Sequence, residues 1–408
     1  MRELDSIAQL TARAANPADP LYADLLEGIA ETAGLHPQSL QRLVGMWTST
    51  WQRPDLEKAL RRGLGPHPGA VRPIGKVAIV APGNLCVATW QAMLEPLLVG
   101  NRVTVRPGSG DPRAPENLRR ALRQVDAELG DRIEIADFAR DDEASWMHWL
   151  KDCQALCVYG GDTAISSLLH LASRAGFGGR LRLHGHYQSI GVLDAELIDD
   201  PVTMRAIAAG WAVDTLLADG RGCMSLRALW LVGKLDAAAR AEVRRALASA
   251  LERAAKSLPP GQLDVAWQAE LALFVQNHAF QVANSAASNS EDSPGEEAWL
   301  EEGDTWSLLG HASGTPAGTQ SPGPGARSLV VYEARDAADL MQQLEPWRGK
   351  LSTVSLAVDA DSHGILDAIE RLGAHRTCQP GAMQAPRADR APDGHMPFTS
   401  LVRQTDRN

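Results

Sequence analysis

The stretch that most constrains the fold lies between Lys76 and Val105, where a short apolar run, a turn, an apolar helix pattern and a second apolar run follow one another. Residues 77–80 are predicted as a strand, 85–99 as a helix and 103–105 as the next strand. A crossover helix between two successive strands places those strands parallel, because antiparallel neighbours need only a tight turn. The pattern therefore predicts an α/β fold built on a parallel sheet.

Strands and helices go on alternating along most of the chain. Before residue 223, further strands are predicted at 133–135, 155–159, 180–184 and 190–193, and further helices at 118–129 and 164–174. After it, strands are predicted at 228–232, 329–332, 354–358 and near Thr377, and helices at 235–257, 270–282, 337–344 and 364–372. The chain is thus expected to contain two α/β units, and ligands of open parallel sheets bind beyond the carboxyl ends of the strands.

Three segments depart from this alternation. Residues 1–64 carry apolar side chains at helical intervals and run into a Gly/Pro-rich linker at 63–69, which predicts an N-terminal helical region for packing or oligomer contacts. Residues 284–326 are rich in Ser, Gly, Pro and acidic residues, which is typical of a long, mobile surface insertion. A Pro-, Asp- and Gly-rich tail occupies 379–408.

Charge and composition exclude several classes of protein. The 408 residues have a net charge of −10, which argues against a nucleic-acid-binding face. The longest apolar stretch, 77–100, is interrupted by Asn84, Glu95 and two prolines, so no membrane span is expected, and no secretory signal opens the sequence. The five cysteines match no zinc spacing, so we expect no metal site and free thiols in a cytoplasmic protein.

A glycine-flanked cysteine stands between the two α/β series. The segment Gly220-Arg221-Gly222-Cys223 follows an apolar helical pattern and precedes the strand at 228–232. Glycine permits sharp turns and close approach of a substrate, and a cysteine on such a turn has an accessible sulfur with backbone N–H groups near it. Taken alone, the stretch fits a buried structural cysteine at least as well as a nucleophile.

Two other turns have features of phosphate or ribose binding. Gly160-Gly161-Asp162 lies between a strand and a helix, where a phosphate reaches the backbone and the helix N-terminus favours negative charge. Asp162 is also a plausible helix cap without any ligand. Arg106 ends a strand and precedes Pro107-Gly108-Ser109; its guanidinium suits ribose hydroxyls or a ribose phosphate, and a surface arginine is the alternative.

Together these positions resemble the aldehyde dehydrogenase superfamily. Val80-Ala81-Pro82-Gly83-Asn84 is similar to its Pro-x-Asn turn, and Val105-Arg106-Pro107-Gly108-Ser109 to its Lys-Pro-Ser segment. Tyr159-Gly160-Gly161-Asp162 stands at its Gly-Ser cofactor turn and Gly222-Cys223 at its nucleophile. The resemblance covers residues 70–404 apart from the 284–326 insertion.

Within that superfamily, the chain more closely resembles the acyl-CoA reductases of bacterial luminescence (LuxC-like). The motifs that carry this closer resemblance are Tyr-Gly-Gly-Asp-x-x-Ile at 159–165, Leu351-Ser352-Thr353-Val354, and the tail pattern Gly381-Ala382-Met383, Pro386, Asp393-Gly394 and Leu401-Val402. The resemblance implies an aldehyde-dehydrogenase-like fold, with a Rossmann-type parallel-sheet cofactor domain, an α/β catalytic domain and a helical N-terminus. The implied segments are a helical region at 1–69, a cofactor-binding domain at 70–217, a catalytic domain at 218–378 with the flexible insertion 284–326, and a tail at 379–408.

The resemblance also implies roles for individual residues. Cys223 is the expected nucleophile, and the side chain of Asn84 with the N–H of Cys223 forms the expected oxyanion hole. The turns after three strands are expected to bind the nicotinamide cofactor through Ala81, Pro82, Arg106, Ser109, Gly160 and Gly161.

Two departures from the superfamily pattern refine the expected reaction. Hydrolytic members carry a Glu that activates water, but the corresponding stretch here, 182–187, contains no carboxylate. A Glu that touches the nicotinamide ribose is likewise missing near 326–329. An acyl-enzyme without the base should hydrolyse slowly and remain available for reduction, and Arg106 in place of Lys is compatible with NADPH.

We therefore expect NADPH-dependent reduction of an acyl thioester, from coenzyme A or a carrier protein, to an aldehyde through an acyl-cysteine. His184 and His186 are candidate proton carriers or, alternatively, structural histidines. A homo-oligomer or a biosynthetic complex is the expected assembly. The alternatives are an NAD(P)-dependent aldehyde dehydrogenase that forms the acid, and a non-catalytic scaffold subunit of a biosynthetic complex.

Overall fold

The computed structural model describes residues 2–65, 71–288, 298–311, 321–359 and 362–404. It divides into two compact units, one of residues 1–34, 43–186 and 385–408 and the other of residues 35–42 and 187–384. The domain boundaries expected from the sequence are defined by function, as a cofactor domain and a catalytic domain. They stay a prediction.

The chain begins with five helices, which confirms the expected helical N-terminus. They are α1 (Arg2–Ala14), α2 (Pro20–Leu26), α3 (Ile29–Ala33), α4 (Pro37–Ser49) and α5 (Arg53–Leu64). In α1 the side chains at helical spacing, Leu4, Ile7 and Leu10, are buried, as expected for an amphipathic helix. Asp19 begins α2 by accepting a hydrogen bond from the Leu21 N–H at 2.9 Å.

A five-stranded parallel sheet forms the centre of the first unit. Its strands are β2 (Lys76–Val80), β3 (Arg102–Arg106), β4 (Ile133–Ile135), β5 (Ala155–Tyr159) and β6 (Arg180–His184), in the order β4-β3-β2-β5-β6. The crossover helices are α6 (Cys86–Leu98), α7 (Ala114–Val125), α8 (Ala127–Gly130), α9 (Glu143–Lys151) and α10 (Asp162–Arg174). The βαβ unit predicted at 76–105 is therefore confirmed.

The sheet of the first unit is packed on both faces. On one face, Trp146 and Trp149 of α9 pack with Leu156 and Val158 of β5 and with Ile165 of α10. On α6, all but one of the 13 residues are buried, as in helices that are apolar around their whole circumference. A short antiparallel pair, β1 (Val71–Pro73) with β14 (Val402–Gln404), attaches the end of the chain to the same unit.

The second unit contains a seven-stranded sheet in the order β13-β12-β7-β8-β11-β10-β9. Its strands are β7 (Gln188–Asp194), β8 (Ala228–Val232), β9 (Trp299–Glu302), β10 (Ser307–Gly310), β11 (Ser328–Ala334), β12 (Leu351–Ala357) and β13 (Arg376–Cys378). All neighbours are parallel except β9 and β10. The helices are α11 (Pro201–Leu216), α12 (Ala237–Ser257), α13 (Val265–Ser288), α14 (Ala337–Leu344) and α15 (His363–Arg371).

Aromatic rings fill the centre of the second sheet. Trp230 on β8 stacks on Tyr332 of β11 with ring centroids 4.9 Å apart and meets Trp347 edge-on at 5.5 Å. Its indole N–H donates to the side-chain oxygen of Gln343 at 2.9 Å, so the buried polar edge of the ring is satisfied. Among the described residues, no helix combines the length and the apolar character that a membrane crossing requires.

The structure corrects two expectations about organisation. The strand predicted at 190–193 exists as β7, but it pairs with β8 and β12 in the second sheet rather than continuing the first. The stretch 284–326 is not a single loop, because it contains the end of α13, β9 and the fully buried β10, which pairs in parallel with β11. Its residues 289–297 and 312–320, and residues 66–70 of the predicted linker, lie outside the described residues.

Candidate active site

The predicted cofactor residues follow three adjacent strands of the first sheet. Val80 at the end of β2 pairs with Arg106 at the end of β3 and with Val158 near the end of β5. The turns that begin at Ala81, Pro107 and Gly160 therefore leave the same carboxyl edge of one sheet, where ligands of such sheets bind. The structure brings together all of the residues that the sequence assigned to the cofactor.

The turns after β2 and β3 touch through their backbones. The Ala81 N–H donates to the carbonyl of Arg106 at 3.0 Å. A Cβ added at Gly108 would lie 2.5 Å from the Cα of Gly83, and one added at Gly110 would lie 2.2 Å from the Gly83 carbonyl oxygen. Only glycine fits at these two positions, and this contact holds Pro82 and Ser109 in neighbouring turns.

The turn after β5 opens onto free space. The Gly160 N–H donates to the carbonyl of His184 at 3.1 Å, and Gly161 is the N-cap residue of α10. A Cβ built at Gly161 would meet no other part of the described chain within 4 Å. Room for a ligand thus lies beside free N–H groups at the start of a 13-residue helix, although Asp162 places a carboxylate in its first turn.

Arg106 is held by aromatic rings rather than by an acid. Its guanidinium carbon lies 4.9 Å from the ring centre of Trp146 and 5.6 Å from that of Phe138. Burial lowers the pKa of Arg106, and the positive charge of Arg140 lowers it further, while Asp137 raises it. Arg106 nevertheless stays charged, because the pKa of an arginine lies far above neutral pH. Among the described residues, neither Arg106 nor Arg140 forms an ion pair, so two guanidinium groups at this edge have no carboxylate bound.

Arg182 on β6, in the stretch 182–187 where a base was missing from the sequence, forms a buried ion pair. Its guanidinium lies 2.8 Å from the carboxylate of Glu95 on α6, and both side chains are buried. Burial lowers the pKa of Arg182, but the charge and hydrogen bond of Glu95, together with Tyr159 and Cys157, outweigh burial, so the net effect is a raised pKa. A cation in this state cannot take a proton from water, in agreement with the missing base noted in the sequence.

His184, at the end of β6, is enclosed within the first unit. Its ring stacks on Tyr159 at a centroid distance of 4.1 Å, and its Nδ1 contacts the carboxylate of Asp393. Its side chain is buried, which favours the structural interpretation of this histidine over that of a mobile proton carrier.

The two predicted catalytic residues are positioned by different units. Asn84 follows β2 in the turn just before α6, and Cys223 belongs to the second unit. The expected cooperation of Asn84 with the N–H of Cys223 in an oxyanion hole stays a prediction.

Cys223 is exposed on its turn, although Gly222 and Ser225 beside it are buried, and it differs in this from Cys86, Cys153 and Cys157, which are buried. The Ser225 N–H donates to the Gly222 carbonyl at 3.0 Å, which closes a four-residue turn with Cys223 at its second position. Burial raises the pKa of Cys153 and of Cys157 to about 11, so these thiols are not reactive at neutral pH. The buried-cysteine interpretation of residue 223 is therefore wrong.

The segment before this turn has an unusual backbone. Ala218 and Asp219 have φ of 52° and 57°, in the left-handed region that non-glycine residues rarely adopt. The buried Asp219 carboxylate accepts the Gly261 N–H at 3.2 Å and lies 3.4 Å from Arg327. Arg327 also donates to the carbonyls of Leu216, Leu258 and Thr305. Through Arg327, the stretch 326–329 fixes the segment that leads to Cys223.

Arg227 supplies positive charge near the thiol. Its guanidinium donates a hydrogen bond to the carbonyl of Gly220, three residues before Cys223, at 3.4 Å. Burial lowers the pKa of Arg227, while interactions with Cys223 and then Glu270 raise it. A cation within electrostatic range of a thiol favours the thiolate form.

Sequence analysis missed the residues that anchor the tail near this loop. Asp214 on α11 accepts the N–H groups of Gly381 at 2.7 Å and Met383 at 3.1 Å. Arg376 donates to the carbonyls of Ala382 and Met383. The one available signal was an acidic residue inside the otherwise apolar helical pattern before residue 216.

Comparison with known proteins identifies relatives of the whole arrangement. The family model for acyl-CoA reductase (LuxC) matches residues 66–404. A long-chain acyl-protein thioester reductase 2 from Photobacterium leiognathi is 23% identical over 334 residues, which are 81% of this chain and 63% of that protein. The chain thus spans less than two thirds of the length of this curated relative.

Solved structures of aldehyde dehydrogenases share the fold. An NAD-dependent benzaldehyde dehydrogenase from Corynebacterium glutamicum aligns with a TM-score of 0.65 at 14% identity, over 98% of this chain and 86% of its own. A succinic semialdehyde dehydrogenase from Streptococcus pyogenes, solved with NADP⁺, aligns with a TM-score of 0.65 at 12% identity, over 99% and 89%. The expected aldehyde-dehydrogenase-like α/β fold is confirmed.

Proposed function

The chain belongs to the acyl-CoA reductase (LuxC) family, and from that premise we propose that it reduces an acyl thioester to an aldehyde through an acyl group carried on Cys223. The observation that carries the proposal is the exposed thiol on a fixed turn, in a family defined by this reaction. The substrate is the thioester of coenzyme A or of a carrier protein.

The proposed reaction begins at the Cys223 sulfur. Its thiolate attacks the carbonyl carbon of the thioester, the bond from that carbon to the carrier sulfur breaks, and the carrier leaves as a thiol after taking up a proton. The nicotinamide cofactor, when bound, supplies the hydride that reduces the acyl group. The bond between the Cys223 sulfur and the reduced carbon then breaks, which releases the aldehyde and restores the thiolate.

The oxyanion formed in these steps needs hydrogen-bond donors. We assign this role to the Asn84 side chain and the Cys223 N–H, as the resemblance implies. Removing one such donor typically costs on the order of 10²–10³ in rate. Water is disfavoured as the acceptor of the acyl group because the stretch 182–187 contains no carboxylate, and its Arg182 is paired with Glu95 at 2.8 Å.

The carboxyl edge of the first sheet suits the cofactor. The open space at Gly161 and the N–H groups of α10 would hold its phosphates, and the joined turns with Ala81, Pro82 and Ser109 would hold the adenosine half.

We assign the cofactor as NADPH. Arg106 and Arg140 are close enough for their charges to interact, and no ion pair neutralises either one within the described residues. A ribose phosphate would satisfy both, since arginine binds phosphate through paired N–H groups. Replacing either arginine by Met should raise the KM for NADPH about tenfold or more and leave that for NADH nearly unchanged. Arg102→Met, on the exposed amino end of β3, is the matched control.

The direct test is consumption of NADPH with acyl-CoA esters of graded chain length while the aldehyde is trapped. We expect one aldehyde for each NADPH, a rate lower by on the order of 10²–10³ in Asn84→Ala, and no turnover in Cys223→Ala. Steady formation of acid from aldehyde and NAD(P)⁺ without an added thiol would instead establish an aldehyde dehydrogenase. Failure to bind NADPH would favour a non-catalytic scaffold subunit.

We further propose that the protein is a cytoplasmic homo-oligomer. Its five cysteines are free thiols, as in a reducing compartment. The long helix α13 presents Val265, Leu273 and Phe280 to solvent, with exposed fractions of 81%, 61% and 68%. Exposed apolar side chains on one helix are typical of a surface that a second protein covers.

A further inference from the structure

The turn that carries Cys223 is fixed on several sides, although Cys223 itself is exposed and surface turns are usually among the more mobile parts of a protein. One hydrogen bond closes the turn, from the Ser225 N–H to the Gly222 carbonyl at 3.0 Å, and the Leu226 N–H donates to the Asp214 carbonyl at 3.1 Å. Residues of other elements also contact Cys223, Met224 and Ser225.

Ser189 on β7 connects the turn to the middle of the second sheet. Its hydroxyl donates to the carbonyl oxygen of Cys223 at 2.6 Å and accepts the backbone N–H of Thr353 on β12 at 3.1 Å. Ser189 is 1% exposed and its bond from Thr353 is buried, so only the Cys223 carbonyl end of this pair of bonds lies within reach of water. A buried hydroxyl with both partners in place has one orientation. The Ser189 hydroxyl therefore fixes the Cys223 carbonyl relative to β7 and β12.

The neighbouring turn residues are held from the end of the second unit. The side-chain amide of Gln384 donates to the Ser225 hydroxyl at 2.8 Å, and the guanidinium of Arg376 lies 3.9 Å from the sulfur of Met224. Gln384 directly follows Met383, whose N–H is bound by Asp214 at 3.1 Å. The Cys223 turn is thus fixed by β7, β13 and the segment 381–384.

We propose that Ser189 is a positioning residue for the nucleophile, acting through its hydrogen bond to the Cys223 carbonyl. The proposal rests on the proposed function, since it assigns Cys223 the attack on the thioester. Fixing the Cys223 carbonyl restricts the backbone torsion of that residue and so the direction of its thiol. A thiol that samples several directions attacks a bound carbonyl less often, because reaction needs a near-attack geometry.

The test compares Ser189→Ala with Ser355→Ala in the full chain. Ser355 on β12 is equally buried, and its hydroxyl accepts the Trp211 indole N–H at 2.8 Å rather than bonding to residues 222–225. Two quantities are measured: the single-turnover rate of acyl transfer from an acyl-CoA to Cys223, and hydrogen exchange of the backbone amides at 222–226. Thermal unfolding of each variant shows how much stability it has lost.

We expect acyl transfer to fall about tenfold in Ser189→Ala, with faster exchange at 222–226 and an unchanged KM for NADPH. Ser189→Thr, which keeps the hydroxyl, should restore most of the rate. Ser355→Ala should lose similar stability with neither change. Equal slowing in the two alanine variants, or wild-type transfer and exchange in Ser189→Ala, would overturn the proposal.

A second variant covers the case in which Ser189→Ala does not fold. Gln384→Leu removes the donor to Ser225 and should also speed exchange at 222–226 and slow acyl transfer; no effect on either would count against fixation of the turn. If the wild-type protein forms no acyl adduct while exchange still rises in Ser189→Ala, the proposed function fails and the anchoring of the turn by Ser189 stands.

Discussion

Arg182 and Glu95 show how a buried charge is compensated inside the first unit. The pair is buried and its charged atoms lie 2.8 Å apart, so each group depends on the other for compensation of its charge. The pair supplies no base, and it ties α6 to β6.

Replacing one member of this pair should lower the free energy of unfolding more than replacing both members. Arg182→Met leaves Glu95 buried without its partner, and we expect the free energy of unfolding to fall by about 3–5 kcal/mol. The double variant Arg182→Met/Glu95→Leu should recover most of this loss, because two apolar side chains need no counter-charge. Urea denaturation measures both. Arg123→Met, which breaks an exposed pair with Asp131, serves as the control. Its loss in the free energy of unfolding should be less than about 1 kcal/mol. A double variant as unstable as the single one would contradict this account.

Asp111 should make stability depend on pH. It is fully buried in the turn after β3, and burial raises its pKa to about 7, opposed by the Ala114 N–H. In the unfolded chain an aspartate titrates near 3.9, so between about pH 4 and pH 7 the folded state binds more protons than the unfolded state. The contribution of this residue to stability therefore falls as the pH rises through that window.

The variant Asp111→Asn removes the titration and keeps the shape. We expect its stability relative to the wild type to increase by on the order of 2 kcal/mol between pH 5 and pH 8. Thermal unfolding at both pH values gives the comparison, with Asp199→Asn, at an exposed site, as the control. A difference that does not change with pH would show that Asp111 titrates normally.

At the scale of elements, the end of the chain is part of the first unit rather than an appendage. Strand β14 pairs with β1, and the carbonyls of Leu401 and Val402 accept hydrogen bonds from Asn101 at 2.9 Å and Arg180 at 2.7 Å. Asn101 is fully buried and also accepts the Gly75 N–H at 3.0 Å. Its amide therefore depends on Leu401, the residue just before β14, for one of its partners.

Ending the chain after residue 398 should destabilise the first unit. The change leaves Asn101 with an unpaired buried donor and removes the partner of β1, and such a donor alone costs about 1–3 kcal/mol. We expect a fall of several degrees in the melting temperature. Asn101→Ala in the full chain gives the separate contribution of that residue. A shortened chain as stable as the full one would refute the role of β14.

Local pattern was sufficient for most elements and for the turn at Cys223, because strand, turn and helix signals lie within a few residues of one another. It was insufficient where the partner is distant. Ser189 lies 34 positions from Cys223 and Gln384 lies 159 from Ser225, and nothing in their neighbourhood marks them. Strand β10 was missed because its four buried residues are surrounded by polar sequence. The sequence also grouped β7 with the strands before it, because local pattern does not show which sheet a strand joins.

At the scale of the whole molecule, α13 is the feature that most needs a partner. The helix has 24 residues and a single charged side chain, Glu270, and the exposed Leu273 and Phe280 lie two turns apart on one side. An apolar surface of this kind suits a second copy of the chain, since a symmetric contact needs no opposite charges.

Charged substitutions on this surface should change the assembly. We expect Leu273→Asp and Phe280→Asp to shift an oligomer toward the monomer in size-exclusion chromatography with light scattering. Val202→Asp, at another exposed apolar residue on α11, should have no effect. An assembly that both variants leave intact would show that α13 does not form the contact.

The central claim is that the Cys223 sulfur carries the acyl group, and intact-mass spectrometry after mixing the protein with an acyl-CoA tests it most directly. Without cofactor, we predict a mass increase of one acyl group that maps to the peptide containing residue 223 and is absent in Cys223→Ala. Adding NADPH should discharge the adduct as aldehyde. An adduct on another residue, or release of the acyl group as the acid, would contradict the account.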